Sequence, residues 1–134
     1  MDYRIYCLIT VLAWGVWGFG AKMVAERLPG GVAPLLTGAT SVLCIAAYVL
    51  HRHSSIPLNR YSAYACVTGG LSALAVLALY KALERGPVSV VIPFTGLYVL
   101  VTVVLGLVFL REQVTPSRIA GVLLAALAIF LLSR

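Results

Sequence analysis

The stretch YKALERGPVSVVIPFTGLYVL, residues 80–100, decides how the rest of the chain is read. Three charges, Lys81, Glu84 and Arg85, are followed at once by Gly86-Pro87 and then by an apolar run that carries a second proline, Pro93. Glycine suits the end of one helix, and proline suits the first turn of the next, where its missing N–H would have no partner anyway. The pattern is therefore a charged stop, a tight turn and a new apolar helix with a breaker inside it.

The composition says what surrounds such helices. The 134 residues are 62% hydrophobic and only 10% charged, with a mean hydropathy of +1.04, whereas soluble domains are roughly 45–50% apolar and about 25% charged. About 20 apolar residues cross a bilayer core of about 30 Å as a helix. Five runs meet that requirement, at 4–25, 31–50, 61–83, 88–110 and 117–133. The expectation is an all-α integral membrane protein, one domain over residues 1–134, with five transmembrane helices and short loops. The connections ERLPGG, HRHSSIPLNR, ERGP and REQVTP are too short to fold separately. Soluble catalytic and nucleic-acid-binding modules are thereby excluded, and function must lie within the helices. Leu28-Pro29-Gly30-Gly31 reads as a tight reversal, and Thr115-Pro116 as an N-cap followed by a first-turn proline.

The formal charge of +6 and the pI near 9.6 do not point to nucleic acid, because the basic residues are scattered over helix ends rather than gathered on one face. The N-terminal apolar core is too long for a signal peptide and no small-residue cleavage site follows it, so it reads as a retained first helix. Cys7, Cys44 and Cys66 lie inside apolar spans without ligand spacing and read as small packing residues, with neither a disulfide nor a metal site expected. His51 and His53, flanking Arg52, read as parts of a solvated loop. No Ser/His pair, paired Asp or metal cluster lies within any span, so no catalytic residue and no cofactor is expected.

The segment from Tyr80 to Ser133 resembles the second half of an EamA-like unit of the drug/metabolite transporter superfamily. The residues that carry the likeness are the ALERGP turn, the proline-bearing helix, LREQVTP and the glycine of RIAGVLL; the opening AWGVWGFGAK is similar to that family's first helix. Most relatives carry ten helices as two such units in inverted repeat, so the resemblance implies half of that arrangement, from the small five-helix branch. It also implies a multi-pass protein of a prokaryotic inner membrane. The small multidrug resistance family, distant kin with four helices, exchanges protons for cationic drugs through an acid deep in its first helix. Here the acids Asp2, Glu26, Glu84 and Glu112 all fall at predicted helix ends, which disfavours that mechanism.

Candidate site residues follow from the spans. Pro93 cannot donate to the carbonyl of Ser89, and in lipid a freed carbonyl must face protein, water or ligand. Thr95, Tyr98 and Thr102 follow at spacings of three and four, which places them on one helical face. Thr10, Trp14 and Trp17 make a comparable face on the first helix. Packing between helices is the plain alternative for these residues; lining a substrate cavity is the functional one. Lys22, about 26 Å along the helix from Ile5, is read either as an interfacial anchor or as a cation at the cavity mouth that meets a substrate carboxylate or phosphate. Lys81 is in the same situation, and each has an acid within helical reach, Glu26 and Glu84.

Two classes of function are carried forward. One is a secondary carrier or facilitator of small metabolites such as amino acids, working as a homodimer because five helices make half of a ten-helix pathway. The other is an accessory or heteromeric subunit of a lipid-carrier flippase-like complex. Gly121, Ala125 and Ile129, at four-residue steps, are candidates for a helix–helix interface in the dimer, contact with another helix of the same chain being the plain alternative. Arg4, Arg52, Arg60, Arg111 and Arg118 fall on one side of the membrane and Lys22, Arg27, Lys81, Arg85 and Arg134 on the other, five against five. The acids also split evenly. No orientation is clearly favoured by the positive-inside rule, so the expected dimer is antiparallel, its rival a parallel dimer oriented by the first helix, and the expected partners are membrane lipid, a second copy and a small-molecule substrate.

Overall fold

The computed structural model describes residues 2–28, 31–111 and 115–132, the side chain of Arg118 excepted. Among the described residues six α-helices follow one another: α1 Tyr3–Ala25, α2 Val32–His51, α3 Arg60–Arg85, α4 Val88–Thr95, α5 Tyr98–Phe109 and α6 Pro116–Leu132. They correspond to the five expected runs within two residues at each end, except that the fourth run is divided. Four stretches are long and apolar enough to cross a membrane, namely Tyr3–Ala25, Val32–His51, Arg60–Arg85 and Val88–Phe109, and a shorter apolar helix covers Ile119–Leu132.

The helix ends have readable causes. Asp2 caps α1 by accepting a hydrogen bond from the Arg4 amide at 3.3 Å. Gly31, at φ 89°, is the N-cap of α2 in a left-handed conformation that a side chain would strain. Pro29 and Gly30 of the expected reversal lie outside the described residues. Pro87 is the N-cap of α4, extended at φ −67° and ψ 140°, and its carbonyl accepts from Val90 and Val91, both at 3.0 Å. It therefore stands one position before the first turn it was expected to occupy. Nor is Gly86 left-handed; Gly31 is the described glycine with positive φ. Thr115-Pro116 opens α6 as read, with the Thr115 carbonyl accepting from Ile119 at 3.1 Å.

The chain forms two compact units, Met1–Arg85 and Gly86–Arg134, and each is described by itself. In the first, the buried residues are Gly18, Ala21 and Ala25 of α1, Ala33 and Pro34 of α2, and Tyr80 and Leu83 of α3. All belong to the end where α1 finishes, α2 begins and α3 finishes. Small residues there let the helix backbones approach. Away from this knot the large side chains point outward, as with Leu12 at 70%, Leu43 at 70% and Leu74 at 65% exposure. That distribution would be inverted for a soluble protein and is the ordinary one for a surface whose solvent is lipid.

In the second unit, α4 packs against α6. The fourth span breaks at Gly96-Leu97, both residues being right-handed, with φ −58° and −59°. Leu97 donates to Phe94 at 3.2 Å, Val99 to Gly96 at 3.2 Å and Leu100 to Leu97 at 3.0 Å, an i→i+3 pattern tighter than that of an α-helix. Pro93, three residues before Gly96, has no N–H to offer Ser89. At the break there is little room for a side chain: a Cβ on Gly96 would lie 3.0 Å from the Pro93 carbonyl oxygen and 3.7 Å from Cδ1 of Ile129.

Candidate functional site

In the first unit the polar chemistry collects at the knot. The Lys22 ammonium donates to the carbonyl of Leu83 at 2.6 Å and pairs with Glu26 at 2.8 Å. Leu83 lies in the last turn of α3, where carbonyls have no intrahelical donor and the helix dipole favours a cation. One lysine thus closes the end of α3, while Glu26, 57% exposed, balances its charge from one turn further along. Trp17 meets Tyr80 edge-on, with ring centroids 6.3 Å apart and planes at 75°. The Tyr80 hydroxyl lies 3.3 Å from Oγ1 of Thr37. Thr37 donates its single proton back to Ala33 or Pro34, at 3.0 and 3.2 Å, which leaves a lone pair to accept from the tyrosine.

The structure therefore brings together two of the four residues expected on α1, Trp17 and Lys22, through neighbours that the sequence did not mark. Thr10 is exposed, its hydroxyl bonded to the Tyr6 carbonyl at 2.9 Å, and Trp14 is 61% exposed. Lys81 is exposed as well.

In the second unit, Pro93 is half-buried and Ser89, Thr95 and Tyr98 are exposed. The hydroxyl of Thr95 returns to the Ile92 carbonyl at 2.9 Å, and that of Thr102 to the Tyr98 carbonyl at 3.1 Å. An open groove of about 910 Å³ runs between α5 and α6, lined by Val99, Thr102, Val103, Gly106, Val122 and their neighbours, with Gly121 and Ala125 on its α6 side. Among the described residues that line it, Thr102 is the one polar side chain, so this lining offers mainly apolar contact. Of the three expected interface residues, Gly121 and Ala125 are exposed, whereas Ile129 is half-buried and reaches Gly96 of the same chain. Among the described residues, no three His, Cys, Asp or Glu side chains gather as metal ligands would.

A multi-helix membrane architecture with one interrupted span is shared by many carriers, and the comparison with known proteins decides among them. The profile of the EamA-like transporter family matches residues 3–134. The chain belongs to that family. It is also similar to an uncharacterized protein of Methanocaldococcus jannaschii, 29% identical over 126 residues, which cover 94% of this chain and 92% of the relative. No solved structure matches. Family membership and the apolar helices together establish a multi-pass membrane protein of a family of transporters of small solutes, not of enzymes. The archaeal relative, covered almost end to end, is of similar length to this chain.

In this EamA-like protein the α4–α5 break divides an apolar stretch of membrane-spanning length, and the Lys22–Glu26 ion pair lies at the end of another such helix. Thr37, Tyr80 and Leu83 escaped the sequence reading. Thr37 looks like any helical threonine, Tyr80 like an interfacial aromatic, and a carbonyl acceptor carries no sequence signal at all.

Proposed function

We propose that the protein is a secondary carrier or facilitator of small metabolites such as amino acids, acting in a prokaryotic inner membrane as an antiparallel homodimer around a central cavity. The observation that carries this reading is the interruption of the fourth span at Gly96-Leu97. Discontinuous membrane helices supply backbone groups to substrate sites in transporters, because irregular backbone at that depth is tolerated only against protein, water or ligand.

In this reading Ser89, Pro93, Thr95, Tyr98 and Thr102 are the substrate-contacting candidates of α4 and α5, and Thr10, Trp14 and Trp17 are those of α1. Lys22 exchanges Glu26 for the carboxylate of an incoming substrate. A second copy supplies the other half of an inverted repeat, which the even division of basic residues between the two sides supports. Gly121 and Ala125, exposed on α6, are open to a partner helix.

The test is flux of a panel of labelled amino acids into liposomes containing the purified full chain. Saturable uptake above protein-free vesicles is expected for at least one of them. Indistinguishable flux across the whole panel would overturn the assignment of substrate class.

A further inference from the structure

The connection between α2 and α3 is built with more care than a solvated loop requires. Its start is closed by a paired motif in which Ser54 donates to Val49 at 3.2 Å and His53 to Leu50 at 3.0 Å. His53 takes the left-handed conformation at φ 50° that this motif demands of the residue after the cap. Its end is closed by Asn59, whose Oδ1 accepts from the amides of Tyr61 at 2.9 Å and Ser62 at 3.2 Å. The Ser62 hydroxyl donates back to the Pro57 carbonyl. Both ends being pinned, the direction of Ile56-Pro57-Leu58 is fixed.

What the fixed segment presents is apolar: Ile56 is 77% and Leu58 98% exposed. Leu58 precedes the cap of α3, where an apolar residue ordinarily packs on the fourth helical residue. Here that residue is Ala63, itself exposed, and the packing is not made. Removing a leucine or isoleucine side chain from water is favourable, so two such side chains held outward call for something to cover them. Because α2 and α3 are membrane-spanning, the short loop between them lies where headgroups give way to acyl chains.

The charges specify which surface covers them. Arg52 and Arg60 flank the segment, and the sequence has no acid between Glu26 and Glu84, so neither α2 nor the body of α3 supplies a carboxylate to them. The Arg60 guanidinium lies over the Tyr61 ring at 5.0 Å and donates to its hydroxyl at 3.0 Å. Tyr64 meets Tyr61 edge-on at 6.5 Å. An arginine over one tyrosine and a second tyrosine edge-on to it, at a helix start, fit a headgroup-level belt.

We propose that this loop is an anchor for anionic phospholipid: Ile56 and Leu58 enter the leaflet while Arg52 and Arg60 hold lipid phosphates. The full chain with Cys7, Cys44 and Cys66 replaced by alanine takes an environment-sensitive fluorophore on Leu58→Cys, in vesicles of phosphatidylcholine with or without phosphatidylglycerol. The label is expected to be blue-shifted and quenched by spin-labelled acyl chains, more strongly by spin-labelled phosphatidylglycerol than by phosphatidylcholine. Arg52→Gln and Arg60→Gln are each expected to lower that lipid preference by up to about fivefold. A water-exposed, unquenched label overturns the insertion. Equal quenching by the two lipids, or a preference unmoved by either arginine variant, overturns the headgroup assignment. The unsubstituted chain supplies an independent reading: its thermal midpoint is expected to rise when phosphatidylglycerol is added to phosphatidylcholine nanodiscs, and no rise counts against the anchor.

Discussion

The Lys22 ammonium lies 2.6 Å from the carbonyl oxygen of Leu83, so the last turn of α1 is fastened to the last turn of α3 by a side chain reaching across to a backbone. A hydrogen bond to a charged group contributes about 1.5–3 kcal/mol, whereas an exposed i,i+4 ion pair contributes about 0.3–0.5. Lys22→Ala is thus expected to destabilise the chain by roughly 1.5–3 kcal/mol, and Glu26→Gln by less than about 1. Reversible unfolding in mixed micelles, followed by loss of helix, measures both. Equal losses in the two variants would mean that the ion pair, not the carbonyl contact, fastens the helices.

Gly96 and Gly121 make a matched pair of opposites. A Cβ at Gly96 would press on the Pro93 carbonyl at 3.0 Å, while one at Gly121 would meet nothing within 4 Å. Gly96→Ala is expected to destabilise the second unit by about 1–3 kcal/mol through crowding. Gly121→Leu is expected to leave the monomer folded and weaken association. Dimer mass in detergent and in lipid, alongside thermal midpoints, separates the two; unchanged dimer mass for Gly121→Leu would remove α6 from the interface.

Pro93→Ala supplies the N–H that the Ser89 carbonyl lacks. It is expected to change transport rate by at least about tenfold with a smaller effect on stability, the reverse of what a purely structural kink would give. Liposome flux of the identified substrate checks the rate and helix loss on heating checks the stability. Wild-type flux would detach the break from the transport path.

Dual insertion is expected to show as two-sided labelling of each terminus. In the cysteine-free background, single cysteines near residues 2 and 132 should each react with an impermeant reagent in part from either side of the membrane. Complete labelling from one side alone would establish a single orientation and a parallel dimer.

The spans were legible because apolar length is set by bilayer thickness and needs no tertiary information. The same holds for Thr115-Pro116, a purely local signal. Pro93 announced a break but not its place, since the chain continues helically to Thr95 and turns only at Gly96, where α6 brings Ile129 alongside. The Trp17–Tyr80–Thr37 contacts could not be read at all: they require three helices to converge at one end, and no periodicity within any one helix records that convergence. His53 hid its left-handed role because glycine, the usual occupant, is absent. Glu112 and Arg134, which entered the charge count, lie outside the described residues.

The knot of small residues around Tyr80 and Leu83 has a mechanical consequence. Three rods joined near one end, with large side chains pointing outward along the rest, behave as levers on a shared fulcrum. From Tyr80 back to Arg60 the free arm of α3 is about 30 Å long at about 1.5 Å per residue, so a tilt of about 10° displaces its far end by roughly 5 Å, nearly one helical turn. Little need be broken at the fulcrum for that swing, because the buried contacts and the lysine fastening all lie at its centre of rotation.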